Sequence, residues 1–103
     1  MKLITKQLKR KLKPGNPWPY LKLFTPGANA TWLISEYDPE TDTAFGLADL
    51  GLGFPELGYI YMPEIRDLRT IHGFKVERDF DFHPDKTITE YAKEAQAHGR
   101  ITA

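Results

Sequence analysis

The chain has 103 residues, 41% of them hydrophobic and 13% aromatic, which matches one compact domain rather than a disordered chain or two domains. Folding at this length removes roughly 65% of the unfolded surface from water, enough for a core without metal or disulfide staples. The absence of cysteine excludes thiol catalysis, zinc fingers and iron–sulfur ligation, and 14 basic residues balance 14 acidic ones.

Thr5 predicts the N-cap of a short helix running to about Leu12, with Leu8 and Leu12 one turn apart on its buried side and Gly15 behind it as a stop. Its other faces are lysine and arginine. Cations in a first turn oppose the helix dipole, so local stability does not account for them. In KPGNPWPY, Pro14, Pro17 and Pro19 remove backbone donors and favour an extended segment around Trp18. Tyr20 to Phe24 and Ala30 to Tyr37 read as a hairpin, whose turn at Pro26, Gly27 and Asn29 supplies fixed and positive backbone angles. Asp38 to Asp42 is a second turn. In the third strand, Thr43 to Leu50, the small residues Ala44, Gly46 and Ala48 alternate with larger ones, leaving room for another element or a ligand to approach the backbone.

Gly51, Gly53 and Pro55 punctuate a connection into a fourth strand, Gly58 to Met62. Pro63 suits the first position of a second helix, with Glu64 in its first turn, Ile65 and Leu68 on its apolar side, and His72-Gly73 as its end. Phe74 to Phe82 reads as a fifth strand. Thr87 and Glu90 predict a capping box for a last helix that places Ile88, Tyr91, Ala92 and Ala95 on one face and closes at Gly99. With hairpin-length links, this order predicts a single α+β domain with a mainly antiparallel sheet of about five strands and three short helices. Residues 1–19 form a basic helix and proline-rich arm, and residues 20–103 the body. No apolar run of signal-peptide length follows the basic start, and no segment is long enough to span a membrane, so a soluble, cytoplasmic protein is expected. The sequon Asn29-Ala30-Thr31 is then read as turn chemistry.

The phrases KLFTP, ANATWL, FGLADLGLG and PELGY, between Lys22 and Ile60, resemble a bacterial family catalogued as domain of unknown function family 2958. The resemblance extends from LITKQL at Leu3 to the terminal ITEYAKEAQAHGRI. It implies a small cytoplasmic bacterial protein carried on plasmids, conjugative elements or phage, and it supplies no catalytic residues.

The balanced charge conceals a strong asymmetry: residues 1–35 carry seven basic and no acidic residues, and residues 36–103 carry seven basic and fourteen acidic ones. Such a separation serves an anionic partner or, as is more usual in a folded domain, is neutralised inside the fold by packing the basic arm near acidic loops. Lys6, Lys9, Arg10, Lys11 and Lys13, followed by Trp18 and Tyr20, combine phosphate-neutralising charge with stacking rings, the pairing that holds nucleic acid. The same residues also fit the solvated face of a terminal helix with Trp18 as a core plug. Asp79, Asp81 and His83 alternate with Phe80 and Phe82, so a strand through them presents three divalent-metal ligand types on one face, the arrangement of a metal-dependent hydrolase or equally of a wet acidic strand face. The segment Gly51 to Gly58 lacks the lysine and the following helix of a phosphate loop. His72, His83 and His98 share no ligand spacing, and Ser35, the only serine, sits in no nucleophile elbow. Glu36, Asp38, Glu40 and Asp42 form an acidic rim at a turn.

These features favour a non-enzymatic binding module for a host protein or nucleic acid, with no cofactor, metal or catalytic residue called for. The hydrolase at Asp79, Asp81 and His83 stands as one alternative. A structural subunit of a larger assembly is the other, and a large, self-complementary apolar patch would favour it.

Overall fold

The computed structural model describes residues 2–103. Strands β1 (Leu21–Phe24), β2 (Thr31–Asp38), β3 (Thr43–Asp49), β4 (Glu56–Tyr61) and β5 (Glu77–Arg78) form one sheet in the order β4-β3-β2-β1-β5, antiparallel at every pairing. Helices α1 (Lys6–Lys11) and α2 (Met62–Asp67) share a core cluster with one face of the sheet, and α3 (Ile88–His98) packs with the other. The architecture is the expected α+β domain with three helices.

β2 is the centre. Trp32, Leu33, Ile34 and Ser35 are buried in succession, because Trp32 and Ile34 point toward α1 and α2 while Leu33 points toward α3. An antiparallel strand with one wet face would alternate; this one is apolar on both sides and requires a covering layer on each. The pairing register shifts between Ile34 and Glu36, making Ser35 an extra residue that reverses the alternation. Tyr37 therefore joins Trp32 and Ile34 on the α1 and α2 side, where unbroken alternation would have sent it to the α3 side. Gly46 on β3 accommodates the distortion: a Cβ there would lie 2.0 Å from the Leu33 carbonyl oxygen and 2.9 Å from the Ile34 Cα. The small face of β3 thus answers to a neighbouring strand.

The helix caps follow the sequence closely. Thr5 Oγ1 accepts the Leu8 amide at 3.3 Å, the reciprocal Thr87–Glu90 box starts α3, and Gly99 closes α3 in the left-handed conformation at φ 73°. Leu8, Leu12, Ile88, Tyr91, Ala92 and Ala95 are buried as expected. The proline-rich segment is sewn to the body. β1 begins only opposite Ile34, and beyond it the Tyr37 amide donates to the Leu12 carbonyl (2.8 Å) and Asn16 Nδ2 to the Ser35 carbonyl (2.8 Å), covering the edge that β1 leaves open. The Ile88 amide at the start of α3 donates to the Pro17 carbonyl at 2.7 Å.

Two expectations are corrected. α2 ends at Asp67 instead of His72-Gly73: Leu68 is extended (ψ 135°), and Thr70 Oγ1 accepts the Phe74 amide (3.0 Å) within a small turn closed by the Arg69–Lys75 bridge. A side-chain hydroxyl that satisfies a nearby amide competes with the helix ladder, and Gly73, at φ 81°, serves that turn. The fifth strand shrinks from residues 74–82 to Glu77–Arg78, because Asp79 Oδ1 accepts the Asp81 amide at 2.9 Å and bends the chain away.

Gly46→Ala is expected to lower unfolding stability by about 2–3 kcal/mol or more, since the added carbon meets backbone that cannot move without breaking the bulge. Gly58→Ala, where a Cβ meets nothing within 4 Å, is expected to change it by less than about 1 kcal/mol in the same urea titration.

Candidate anion-binding face

Leu8 and Leu12 anchor α1 against the sheet and leave Lys6, Lys9, Arg10, Lys11 and Lys13 exposed. None of the four salt bridges among the described residues, Lys22–Asp79, Arg66–Asp42, Lys86–Asp85 and Lys86–Glu94, involves any of these five cations. The acidic half of the chain therefore does not neutralise the basic helix by direct pairing. Lys11 Nζ sits 5.2 Å from the ring centroid of half-buried Tyr20, so charge and ring present together.

Trp18 is not a core plug. It is 37% exposed, while Trp32, at 2%, fills the core. Asn16 brackets it, with Oδ1 accepting the Trp18 amide (3.2 Å) and Nδ2 donating to the Trp18 carbonyl (2.7 Å). Burying Pro19 while Trp18 stays at the surface is the consequence of that local fold.

Beside α1 lies a cavity of about 290 Å³ lined by Lys2, Leu3, Ile4, Lys9, Tyr37 and Arg66. Its geometry depends on Asp42, which holds an unusual left-handed backbone at φ 53° and whose carbonyl accepts the Met62 amide (3.0 Å) at the start of α2. Asp42 Oδ1 accepts from Tyr37 Oη (2.6 Å) and from Arg66 Nη2 (2.8 Å), while Oδ2 takes Arg66 Nη1. The Arg66 hydrogen bonds, aided by Tyr37, hold the Asp42 carboxyl down to about 2. The same network pushes the Arg66 guanidinium up, and burial followed by the Asp42 carboxylate pushes the Tyr37 phenol up. With the Arg66 fork taken by Asp42, the cavity keeps Lys2 and Lys9 as its unpaired cations among the described residues for an incoming oxyanion. Arg66 and Tyr37 escaped the sequence reading because they meet Lys9 only through the sheet; no local spacing signals them.

The other expected constellation does not form. Asp79 pairs with Lys22 (3.4 Å), Asp81 and His83 are exposed, and Asp85 accepts from Tyr91 Oη (2.8 Å). Phe80 lies under Arg78 (4.8 Å), whereas Phe82 packs with Tyr91 (5.9 Å), so the two rings do not form the common apolar face that a strand would impose. Among the described residues no group of three His, Asp or Glu side chains is placed to hold a metal ion. His72, His83 and His98 are exposed and far apart in the chain. A cavity of about 530 Å³ lies beside the glycines 51, 53 and 99; its buried Asp49 is occupied by the Gly51 and Ile101 amides, both at 2.9 Å, which is a structural closure of the β3–β4 loop onto the C-terminal segment. No described helix is long and apolar enough to cross a membrane.

The Asp42 contribution to stability is present above its unfolded value near 3.8 and is lost as pH falls through about 2, because the folded state binds that proton less readily than the unfolded one. Asn tolerates the left-handed backbone, so Asp42→Asn isolates the charge. The variant is expected to be less stable than the parent by about 0.5–1 kcal/mol at pH 6, a small value because Arg66 is 44% exposed, and the gap should close between pH 4 and 2 in parallel thermal melts.

No curated protein and no solved structure matches the chain. A family model described as a protein of unknown function, DUF2958, matches residues 1–102. With the match covering nearly its full length, the chain belongs to the DUF2958 family.

Proposed function

We propose that this protein is a binding module that holds an anionic partner, nucleic acid foremost, on the face formed by α1, the Trp18 segment and the Lys2–Lys9–Arg66 cavity. The observation that carries the reading is the exposure of Lys6, Lys9, Arg10, Lys11 and Lys13 without a carboxylate paired to any of them. Unpaired cations on a helix surface neutralise phosphates and release counterions, while Trp18 and Tyr20 give bases a surface to stack on. A strongly acidic patch on a host protein offers the same complementarity. The association with plasmids, conjugative elements and phage that the family resemblance implies supports a bacterial mobile element as the source. It also supports a cytoplasmic partner among host defence or DNA-processing factors, blocked by occupation of its surface.

A tagged pull-down from a bacterial lysate, split into nuclease-treated and untreated halves, tests the reading. Nucleic acid that elutes, and takes any bound proteins away on digestion, supports the phosphate surface; one protein that survives digestion makes the face a protein interface. The triple reversal Lys9→Glu, Arg10→Glu and Lys13→Glu is expected to lower affinity for a 20-nucleotide single strand at least a hundredfold at low salt and to flatten its salt dependence, read by fluorescence anisotropy, with the far-ultraviolet spectrum unchanged. Trp18→Ala is expected to cost roughly tenfold. Equal binding by the parent and the triple variant would remove α1 from the account.

A further inference from the structure

The two edges of the sheet differ. β5 is two residues long and both are charged, Glu77 and Arg78, which is how natural sheets blunt an edge. β4 has six residues, ELGYIY, with no proline, no lysine and no bulge in its pairing to β3, and its single charge, Glu56, is at its first position. Leu57, Tyr59 and Tyr61 pair with Leu47, Phe45 and Thr43 and so lie on one face, the α3 side. α3 covers Leu33 and Leu47 but leaves Leu57, Tyr59 and Tyr61 exposed at 38%, 84% and 52%. At the end of the strand, Leu50, Leu52 and Phe54 are 58%, 73% and 78% exposed. Large apolar and aromatic side chains offer on the order of 200 Å² each, so Leu57, Tyr59 and Tyr61 expose roughly 350 Å² on the α3 side and Leu50, Leu52 and Phe54 roughly 400 Å² beside Ala48 and Glu56 on the other. An edge contact that draws on both faces approaches the roughly 800 Å² one partner contributes to a standard stable interface.

We propose that the occupant of this edge is a second copy of the chain, joined by antiparallel β4–β4 pairing about a twofold axis at Tyr59, which makes one continuous ten-stranded sheet. The register follows from the pleat. A twofold axis perpendicular to the sheet keeps the same face up in both copies, so opposed residues must share a face and their numbers must sum to an even number. Centring on Tyr59 sets Tyr59 against Tyr59, Leu57 against Tyr61, and Gly58 against Ile60. Each copy then adds Leu57, Tyr59 and Tyr61 to one apolar row, with Tyr59 steadied by its edge-on contact to Phe45 at 5.5 Å. No carboxylate opposes a carboxylate, since Glu56 falls opposite Met62. The loop carrying Leu52 and Phe54 in one copy comes beside the start of α2 in the other. A formal net charge of zero leaves no overall repulsion between copies. This interface is separate from the α1 face and does not depend on the binding reading.

Sedimentation velocity from about 1 to 200 µM is expected to show a mass twice the 11.8 kDa of the chain at the upper concentrations. Tyr59→Lys, which in the monomer gives up only the edge-on contact to Phe45, is expected to weaken dimerisation at least tenfold with an unchanged circular dichroism spectrum. The chain has no cysteine, so single replacements report the register. Under mild oxidation Tyr59→Cys should form a disulfide-linked dimer, because the Cα atoms of directly opposed residues are about 4.5–5.5 Å apart, inside the range a disulfide spans, whereas Tyr61→Cys, which faces residue 57, should not. A monomer at every concentration, open-ended association beyond the dimer, a dimer indifferent to Tyr59→Lys, or equal cross-linking of the two cysteine variants would each overturn the proposal.

Discussion

The burial of β2 on both faces is the constraint from which the rest of the molecule follows. Four consecutive residues, Trp32 to Ser35, are withdrawn from water, so the sheet must carry a layer on each side. α1 and α2 supply one layer and α3 the other. The extra residue at Ser35 is equally consequential. By reversing the side-chain alternation it sends Tyr37 to the α1 side, where its hydroxyl reaches Asp42 and, through Asp42, Arg66. The cationic cavity beside α1 is thus an outcome of a bulge in the central strand, and Gly46 is the residue that makes the bulge sterically feasible.

Two surfaces of opposite character result. The α1 face is rich in cations that the acidic half of the chain leaves unpaired, although zero net charge would suggest internal compensation. The buried and half-buried aspartates are engaged elsewhere: Asp42 orders the turn and α2, Asp49 ties the β3–β4 loop to the C-terminal segment, and Asp79 holds Lys22. The β4 edge is nearly uncharged and apolar. α3, at eleven residues, covers Leu33 and Leu47 and touches β4 without burying Leu57, Tyr59 and Tyr61, so exposed aromatic side chains line the strand that has no partner on one side. A folded domain gains nothing in its own stability by exposing Tyr59 at 84%, which is why such a surface points outward to association.

Elements whose signals are local were legible in the sequence. Thr5, Thr87 with Glu90, and Gly99 act within one helical turn of themselves, and the first hairpin turns through Gly27, at φ 69°, between two apolar runs. Where two local signals competed, periodicity misled. The alternation at Asp79, Asp81 and His83 suggested a strand, but Asp79 satisfies the Asp81 amide with its own side chain and the strand stops. Thr70 does the same after α2. Residue type alone points Trp18 to the core, whereas the Asn16 hydrogen bonds that hold it at the surface have no signal in composition. The exposed row of Leu57, Tyr59 and Tyr61 was present as an alternating pattern, yet its apolar residues would ordinarily be assigned to the inside.

By itself the sequence determined the family, the α+β class, the helix caps, the hairpin links and the basic character of the first helix. Each is carried by residues that act on near neighbours or by a count of charges. The tertiary structure alone decided which charges remain unpaired, that Arg66 and Tyr37 join Lys9 around one cavity, and that β4 rather than β5 is the long free edge. These depend on strand order, on a one-residue register shift and on the reach of an eleven-residue helix. They are properties of non-local packing, where residues far apart in the chain become neighbours only after the sheet has formed.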